Sequence, residues 1–144
     1  GGLVNAGGDL ACWGRMENGD DWTIGIADPM RKEEVLGWVL INDLAIVTSG
    51  NYEKFFMANG KRYAHIIDPR TGYPASGTKS VTIVCPDAEL ADALATAVFI
   101  LGAQQGIALI DRLKDVECLV VNDRNELGSS KGLILNQVGS DPKH

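Results

Sequence analysis

The segment KSVTIVCPDAELADALATAVFILG, residues 79–102, decides the fold because its pattern changes halfway along. Residues 79–84 alternate and are rich in β-branched side chains, which is typical of a strand. Asp87 then offers an N-cap for an apolar helical run over 88–101. Gly102 can adopt the left-handed conformation that ends a helix. The segment therefore predicts a core strand followed directly by a long apolar helix.

The rest of the chain reads mainly as strands, because short apolar runs alternate with turn residues. Asn-Gly and Asn-Asp pairs predict hairpins that join residues 10–16 to 22–26 and residues 35–41 to 44–48. A second long helix is predicted over 104–113. Further predicted elements are strands over 2–6, 61–67, 117–122 and 132–138, the last two paired with each other, and a short helix over 51–57.

Together these elements predict an α+β fold, with a mainly antiparallel sheet packed against about two long helices. The length of 144 residues suits one domain, and 45% hydrophobic residues are enough for a packed core. The net charge of −6 and the lack of a Lys/Arg-rich run argue against nucleic acid as a partner. The sequence contains no apolar run of about 18 residues, so no membrane span is predicted. The three cysteines lack CxxC spacing, so neither a disulfide framework nor a zinc site is indicated.

Asp92 and Thr96 stand out in the helix because they are the polar positions in the apolar stretch ADALATAVFILG. Their spacing of four residues places both side chains on one side of the helix. We expect Asp92 to be buried there, and a buried carboxylate needs a partner. A divalent cation such as Mg²⁺ is one candidate. In the structural alternative, Asp92 caps a neighbouring loop and Thr96 bonds back to the carbonyl of Asp92.

YAHIIDPRTGYP, residues 63–74, is the second stretch of interest. His65 suits a general base at neutral pH, although a lone histidine is also compatible with a structural role. Strand alternation places His65 and Ile67 on one face and Asp68 on the other. Asp68 can brace the turn that Pro69 starts, and Arg70 can meet a phosphate.

Two glycine-containing stretches complete the set of candidates. NAGGDL, residues 5–10, places two glycines after a strand but lacks the GxGxxG pattern of a dinucleotide-binding turn. TSGNY, residues 48–52, ends a strand and places polar residues at that end. Each alone is better explained as a turn than as a site.

In chain order, these stretches resemble the FAD:protein FMN transferases of the ApbE family, from about residue 2 to 138. The most specific part of the resemblance is HIIDPRTGYP followed by ADALATA. The segments that carry it are NAGGDL, WTIGIADP, TSGNYEKFF, GKRYAHIIDPRTGYP and SVTIVCPDAELADALATAVFILG.

The resemblance implies an enzyme that binds FAD and Mg²⁺, moves the FMN moiety to a Ser or Thr hydroxyl of a partner flavoprotein, and releases AMP. Some relatives instead hydrolyse FAD to FMN and AMP. The metal ligands of the family fall on Asp92 and Thr96, while Ala95 stands where some members have an acidic ligand. The catalytic histidine falls on His65.

The predicted flavin-binding residues are Ile67, Asp68 and Arg70. The resemblance implies that Ile67 lines FAD, whereas a phosphate contact by Arg70 rests on its charge alone.

Family members are about twice as long as this chain. Residues 1–138 are therefore expected to be the C-terminal half of an ApbE-like, T-fold-like flavin transferase domain, with a tail over 139–144. Alternatives are a non-catalytic flavin- or metal-binding module and a half-domain that pairs with another chain. Most relatives are lipid-anchored in the periplasm or at the cell surface and some are cytosolic, so any membrane link is expected through a lipid anchor outside this chain.

Overall fold

The computed structural model describes residues 1–31, 33–50 and 55–137, with the backbone alone for residues 55–56 and 61–64. Eleven strands and one helix are assigned within these residues. In chain order they are β1 (Gly2–Ala6), β2 (Asp9–Trp13), β3 (Trp22–Ala27), β4 (Val35–Ile41), β5 (Ala45–Gly50), β6 (Phe55–Ala58), β7 (Lys61–Ala64), β8 (Thr78–Cys85), α1 (Ala88–Ile110), β9 (Glu117–Asn122), β10 (Leu127–Ser129) and β11 (Asn136–Gln137).

The strands form one large sheet, one small sheet and a separate hairpin. The large sheet has the order β1-β2-β5-β8-β9-β10, the small sheet has the order β11-β4-β3, and β6 pairs with β7. Every one of these strand pairs is antiparallel. The predicted α+β class with a mainly antiparallel sheet is therefore confirmed.

The large sheet is the middle layer, because α1 covers one of its faces and the small sheet covers the other. Successive side chains of a strand point to opposite faces. On β8, Ile83 accordingly packs with Val98 and Phe99 of α1, whereas Val84 packs with Ile26 of the small sheet. Burial on both faces explains why β8 is an almost continuous apolar run rather than a half-polar one.

Helix α1 starts where the sequence predicts. The side chain of Asp87 accepts hydrogen bonds from the backbone N–H groups of Glu89 and Leu90 at 2.9 and 3.1 Å. At Gly102 the backbone leaves the helical conformation, with φ 83°, and then resumes it as far as Ile110. The two predicted helices are therefore one interrupted element in the described part of the chain.

The composition of α1 leaves it apolar on more than one side. Ala91, Ala95 and Val98 are fully buried against the large sheet, while Leu90 on the outward side is 45% exposed. By length and composition alone, α1 is long and apolar enough to cross a membrane. The sequence analysis found no apolar run of about 18 residues and therefore predicted no such helix. In this fold one of its faces packs on the large sheet.

Two predicted hairpins are wrong. Residues 10–16 and 22–26 were expected to pair, but β2 and β3 lie in different sheets, and so do β4 and β5. The Asn-Gly turn near 17–21 and the Asn-Asp turn at 42–43 do form, yet they carry the chain from one layer to another. A turn sequence specifies a local change of direction and not whether the strands it joins stay in one sheet.

The C-terminal pairing is also different from the prediction. Strand β9 pairs with Leu127–Ser129, whereas residues 136–137 add an edge to the small sheet beside β4. The short helix predicted over 51–57 is wrong for its last three residues, which belong to strand β6. Its first four residues lie outside the described residues, as do residue 138 and the predicted tail at 139–144.

The three cysteines are core residues. Cys12, Cys85 and Cys118 are all buried and none forms a disulfide. Burial raises the pKa of the Cys118 thiol to about 11, so it is protonated at neutral pH.

Candidate functional site

A cavity of about 320 Å³ opens where the β1–β2 turn, strands β3 and β5, the segment after β7 and the start of α1 meet. Its walls are partly backbone, from the glycine turn and from residues 24–27 of β3. Five of the residues that line it are polar: Asp9, Thr48, Ser49, His65 and Asp92. The structure thus brings together residues from five separate parts of the chain, including His65 and Asp92.

The glycine turn shapes one wall of this cavity. Gly7 and Gly8 have φ values of 67° and 105°, which side-chain-bearing residues rarely adopt. The N–H of Gly8 donates to Oδ1 of Asn5 at 2.9 Å, which closes the turn. NAGGDL is therefore a turn, as expected, but it is also part of the cavity wall, which the sequence alone did not predict.

Asp92 lies on the exposed side of α1 and lines the cavity. The prediction that it is buried in apolar surroundings is wrong. The outward side of α1 is apolar as well, so the pattern gave no means of telling which side is covered. Asp92 therefore needs no partner to offset desolvation, and its carboxylate remains available to a ligand in the cavity.

Thr96 follows the structural alternative in one respect. Its hydroxyl donates a hydrogen bond to the backbone oxygen of Asp92 at 3.3 Å. It is half-buried and is not one of the residues that line the cavity. A hydroxyl that donates still has acceptor lone pairs. Its assignment as a metal ligand stays a prediction.

Asp9 is the site residue that sequence reasoning missed. It is half-buried at the start of β2, and its pKa is raised by burial and by the negative charge of Asp92. The two carboxylates therefore lie near enough to repel each other across the cavity. A carboxylate directly after a glycine turn was visible in GGD, but its significance depends on Asp92, which is distant in sequence.

The two cavity carboxylates fit a hard divalent cation. Mg²⁺ prefers oxygen ligands, commonly takes few of them from protein, and relies on water and phosphate for the others. A cation here would relieve the repulsion from Asp92, which together with burial raises the pKa of Asp9. Within the described residues no group of three or more His, Cys, Asp or Glu side chains forms a metal cage. The site therefore suits a cation shared with a phosphate ligand rather than a structural metal.

His65 and its neighbours alternate as predicted. His65 is exposed and lines the cavity, while Ile66 and Asp68 are buried on the opposite side. Ile67 is 48% exposed but does not line the cavity. Its contact with FAD stays a prediction.

Asp68 and Arg70 form an ion pair that braces the loop after His65. The guanidinium donates to both carboxylate oxygens, at 3.0 Å from Nε and 2.9 Å from Nη2, and the Arg70 N–H donates to Oδ1 at 2.9 Å. These hydrogen bonds lower the pKa of Asp68. Nη2 of Arg70 also contacts the backbone oxygen of Ile100 at 3.3 Å. Neither residue lines the cavity, and their flavin contacts stay predictions.

The arrangement brings a proton acceptor and two carboxylates to one cavity. Such a set can hold a cation beside a phosphate and take a proton from a hydroxyl that approaches His65. Among the lining residues there is no Lys or Arg, so the described cavity has no cationic side chain of its own for a phosphate.

Comparison with known proteins shows to which family the chain is similar. A model of the ApbE family matches residues 1–120. The chain is 38% identical over 143 residues to an FAD:protein FMN transferase of Treponema pallidum, covering 92% of this chain and 39% of that protein. It is 35% identical over 127 residues to an FAD:protein FMN transferase of Klebsiella pneumoniae, covering 87% of this chain and 38% of that protein.

Solved structures give the same result for the fold. The ApbE protein of Thermotoga maritima superposes with a TM-score of 0.83 at 37% identity, over 90% of this chain and 42% of that one. The flavinyl transferase ApbE of Pseudomonas stutzeri, in its apo form, gives a TM-score of 0.73 at 31% identity, over 90% and 41%. The chain thus spans about two fifths of the length of these relatives.

Proposed function

The chain belongs to the ApbE family, and from this we propose that the full-length protein transfers the FMN moiety of FAD to a Ser or Thr hydroxyl of an acceptor flavoprotein. The transfer depends on Mg²⁺ and releases AMP. The relatives that carry the name FAD:protein FMN transferase support this proposal. The observation that carries it for this chain is that His65, Asp92 and Asp9 share one cavity.

In this proposal the residues have separate roles. Asp92, with Thr96 behind it on α1, holds the cation at the cavity wall. Mg²⁺, when bound, neutralises the pyrophosphate and lowers the barrier to attack on it. His65 takes the proton from the acceptor hydroxyl as that oxygen attacks the phosphorus of the FMN half, and AMP leaves.

The test uses the full-length protein with FAD, Mg²⁺ and an acceptor flavoprotein. Covalent flavin is read by fluorescence of the denatured acceptor, and AMP and free FMN are separated by chromatography. Asp92→Asn keeps the shape of the side chain but removes its charge, and we expect the transfer rate to fall roughly a hundredfold. Glu89→Gln is the matched control, because Glu89 is exposed on the same helix and does not line the cavity.

The products separate this proposal from its alternatives. Covalent flavin with equal amounts of AMP supports the transferase. Free FMN and AMP without covalent flavin would identify an FAD pyrophosphatase, and binding of FAD without either product would identify a non-catalytic module. Normal Mg²⁺ dependence in Asp92→Asn would place the metal elsewhere.

A further inference from the structure

Among the residues that the structure describes, the charge of the cavity lining is at odds with a phosphate ligand. Its lining includes two carboxylates, Asp9 and Asp92, and His65 is the other titratable group among the lining residues. Among the described guanidinium groups, that of Arg70 is the nearest to His65 in sequence. It forms an ion pair with Asp68 outside the cavity. FAD carries negative charge on its pyrophosphate, so two like charges face it on entry.

Asp9 contributes to this field from a fixed position. It lies at the first residue of β2, paired in register with Ala6 across the glycine turn. No hydrogen bond or ion pair to its side chain is found among the described residues. Burial and the charge of Asp92 both raise its pKa, which is the response expected of a carboxylate without a compensating cation.

The two carboxylates differ in what surrounds them. Asp92 is exposed on a helix, where water screens its charge, whereas Asp9 is half-buried and is screened less. Removal of the Asp9 charge should therefore change the field at the phosphates even if Asp9 never contacts the metal.

We propose that Asp9 makes nucleotide binding conditional on the cation: its carboxylate repels the pyrophosphate of FAD until a divalent cation has entered the cavity. This inference rests on the proposed function, since it takes FAD as the nucleotide. It assigns Asp9 a role in the order of binding, cation before FAD, and no role as a catalytic residue.

The experiment measures FAD binding rather than turnover. The full-length protein is titrated with FAD, followed by flavin fluorescence, at Mg²⁺ concentrations from zero (with EDTA) to saturation. We expect Asp9→Asn to bind FAD roughly tenfold more tightly than wild type without Mg²⁺, and about equally at saturation. Asp123→Asn is the control, because Asp123 is an exposed carboxylate in a turn outside the cavity.

A second measurement needs no variant. If repulsion limits binding without Mg²⁺, added potassium chloride should tighten FAD binding to the wild-type protein in EDTA, because salt screens like charges. Weaker binding in salt would contradict the proposal. This readout keeps the test decisive should Asp9→Asn fail to fold.

Metal affinity separates repulsion from ligation. Mn²⁺ binding without nucleotide, followed by electron paramagnetic resonance, should be strongly weakened in Asp92→Asn and weakened much less in Asp9→Asn, because the loss of a nearby negative charge also reduces the attraction for the cation. Unchanged FAD binding in EDTA together with lost Mn²⁺ binding in Asp9→Asn would make Asp9 a ligand and overturn the proposal. Failure of the wild-type protein to bind FAD even with saturating Mg²⁺ would overturn the proposed function itself, a result distinct from either.

Discussion

Asp9 and Asp68 are both shielded from solvent at loop ends, yet their surroundings act on them in opposite directions. The pKa of Asp68 is lowered, chiefly by hydrogen bonds from the side chain and backbone of Arg70. The pKa of Asp9 is raised, by burial and by the charge of Asp92. The fold therefore stabilises the ionised form of Asp68 and destabilises the ionised form of Asp9.

The difference distinguishes a carboxylate with a structural partner from one that we propose to be functional. Asp68 meets its partner two residues along the chain, and the pair holds the loop that follows His65. Asp9 meets a like charge from a distant helix, which gives no stability and which a bound cation would offset. A protein tolerates such unfavourable pairs mainly where function requires them.

The largest expected effect comes from residue 65, which lies on the cavity side of the same segment that carries Asp68. We expect His65→Ala to slow flavin transfer by roughly a hundredfold, because proton removal from the acceptor hydroxyl loses its base, while FAD still binds. Single-turnover transfer and FAD titration measure the two quantities separately. Tyr73→Phe, in the exposed part of the same loop, is the control. Equal transfer rates in His65→Ala and wild type would exclude the role.

Asp68→Asn should have the next largest effect, on stability. The loss of a carboxylate that accepts two guanidinium hydrogen bonds and one backbone hydrogen bond should lower the melting temperature by a few degrees at pH 7. The folded-state pKa of Asp68 lies below 3.8, so its contribution is complete above pH 3.8 and is lost as the pH falls through that lower pKa. Melting curves of both proteins between pH 7 and pH 2 should therefore converge at the acid end. A constant difference across that range would contradict the pairing.

Asp9→Asn should have the smallest effect, and of the opposite sign. Because the folded-state pKa of Asp9 is raised above 3.8, its ionised form destabilises the fold at neutral pH, and protonation removes this cost as the pH falls. The variant should melt about a degree higher than wild type at pH 7, in the absence of divalent cations, and equally below pH 3.8. If the variant melts lower at pH 7, Asp9 has a stabilising partner and the contrast with Asp68 is lost.

Local features of the fold were predictable from the sequence, and the reason is that each depends on neighbours in the chain. The β8 run, the cap at Asp87 and the break at Gly102 each depend on residues within a turn or two. Strand partners were not predictable, because an Asn-Gly turn has the same sequence whether it returns a strand to its sheet or crosses to another.

The candidate site was likewise predictable only in part from the sequence. The residue types at His65 and Asp92 and the family resemblance identified two of its members. The exposure of Asp92 was not predictable, because a helix that is apolar on all sides has no periodic face to assign. Asp9 was not predictable because its unusual environment comes from burial in the fold and from the charge of Asp92, which lies on α1 and is distant in sequence.

The strand order of the large sheet also bears on how the molecule reaches its native state. Only β1–β2 and β9–β10 in that sheet are hairpins, while the central pairs β2–β5, β5–β8 and β8–β9 join segments with long intervening chain. Such topologies have a high contact order and fold slowly, since each pairing requires closure of a long loop. Asp9 on β2 and Asp92 on α1 are separated along the chain by the β2–β5 and β5–β8 connections. We therefore expect their juxtaposition, and with it the cavity, to form only after the central strands have paired.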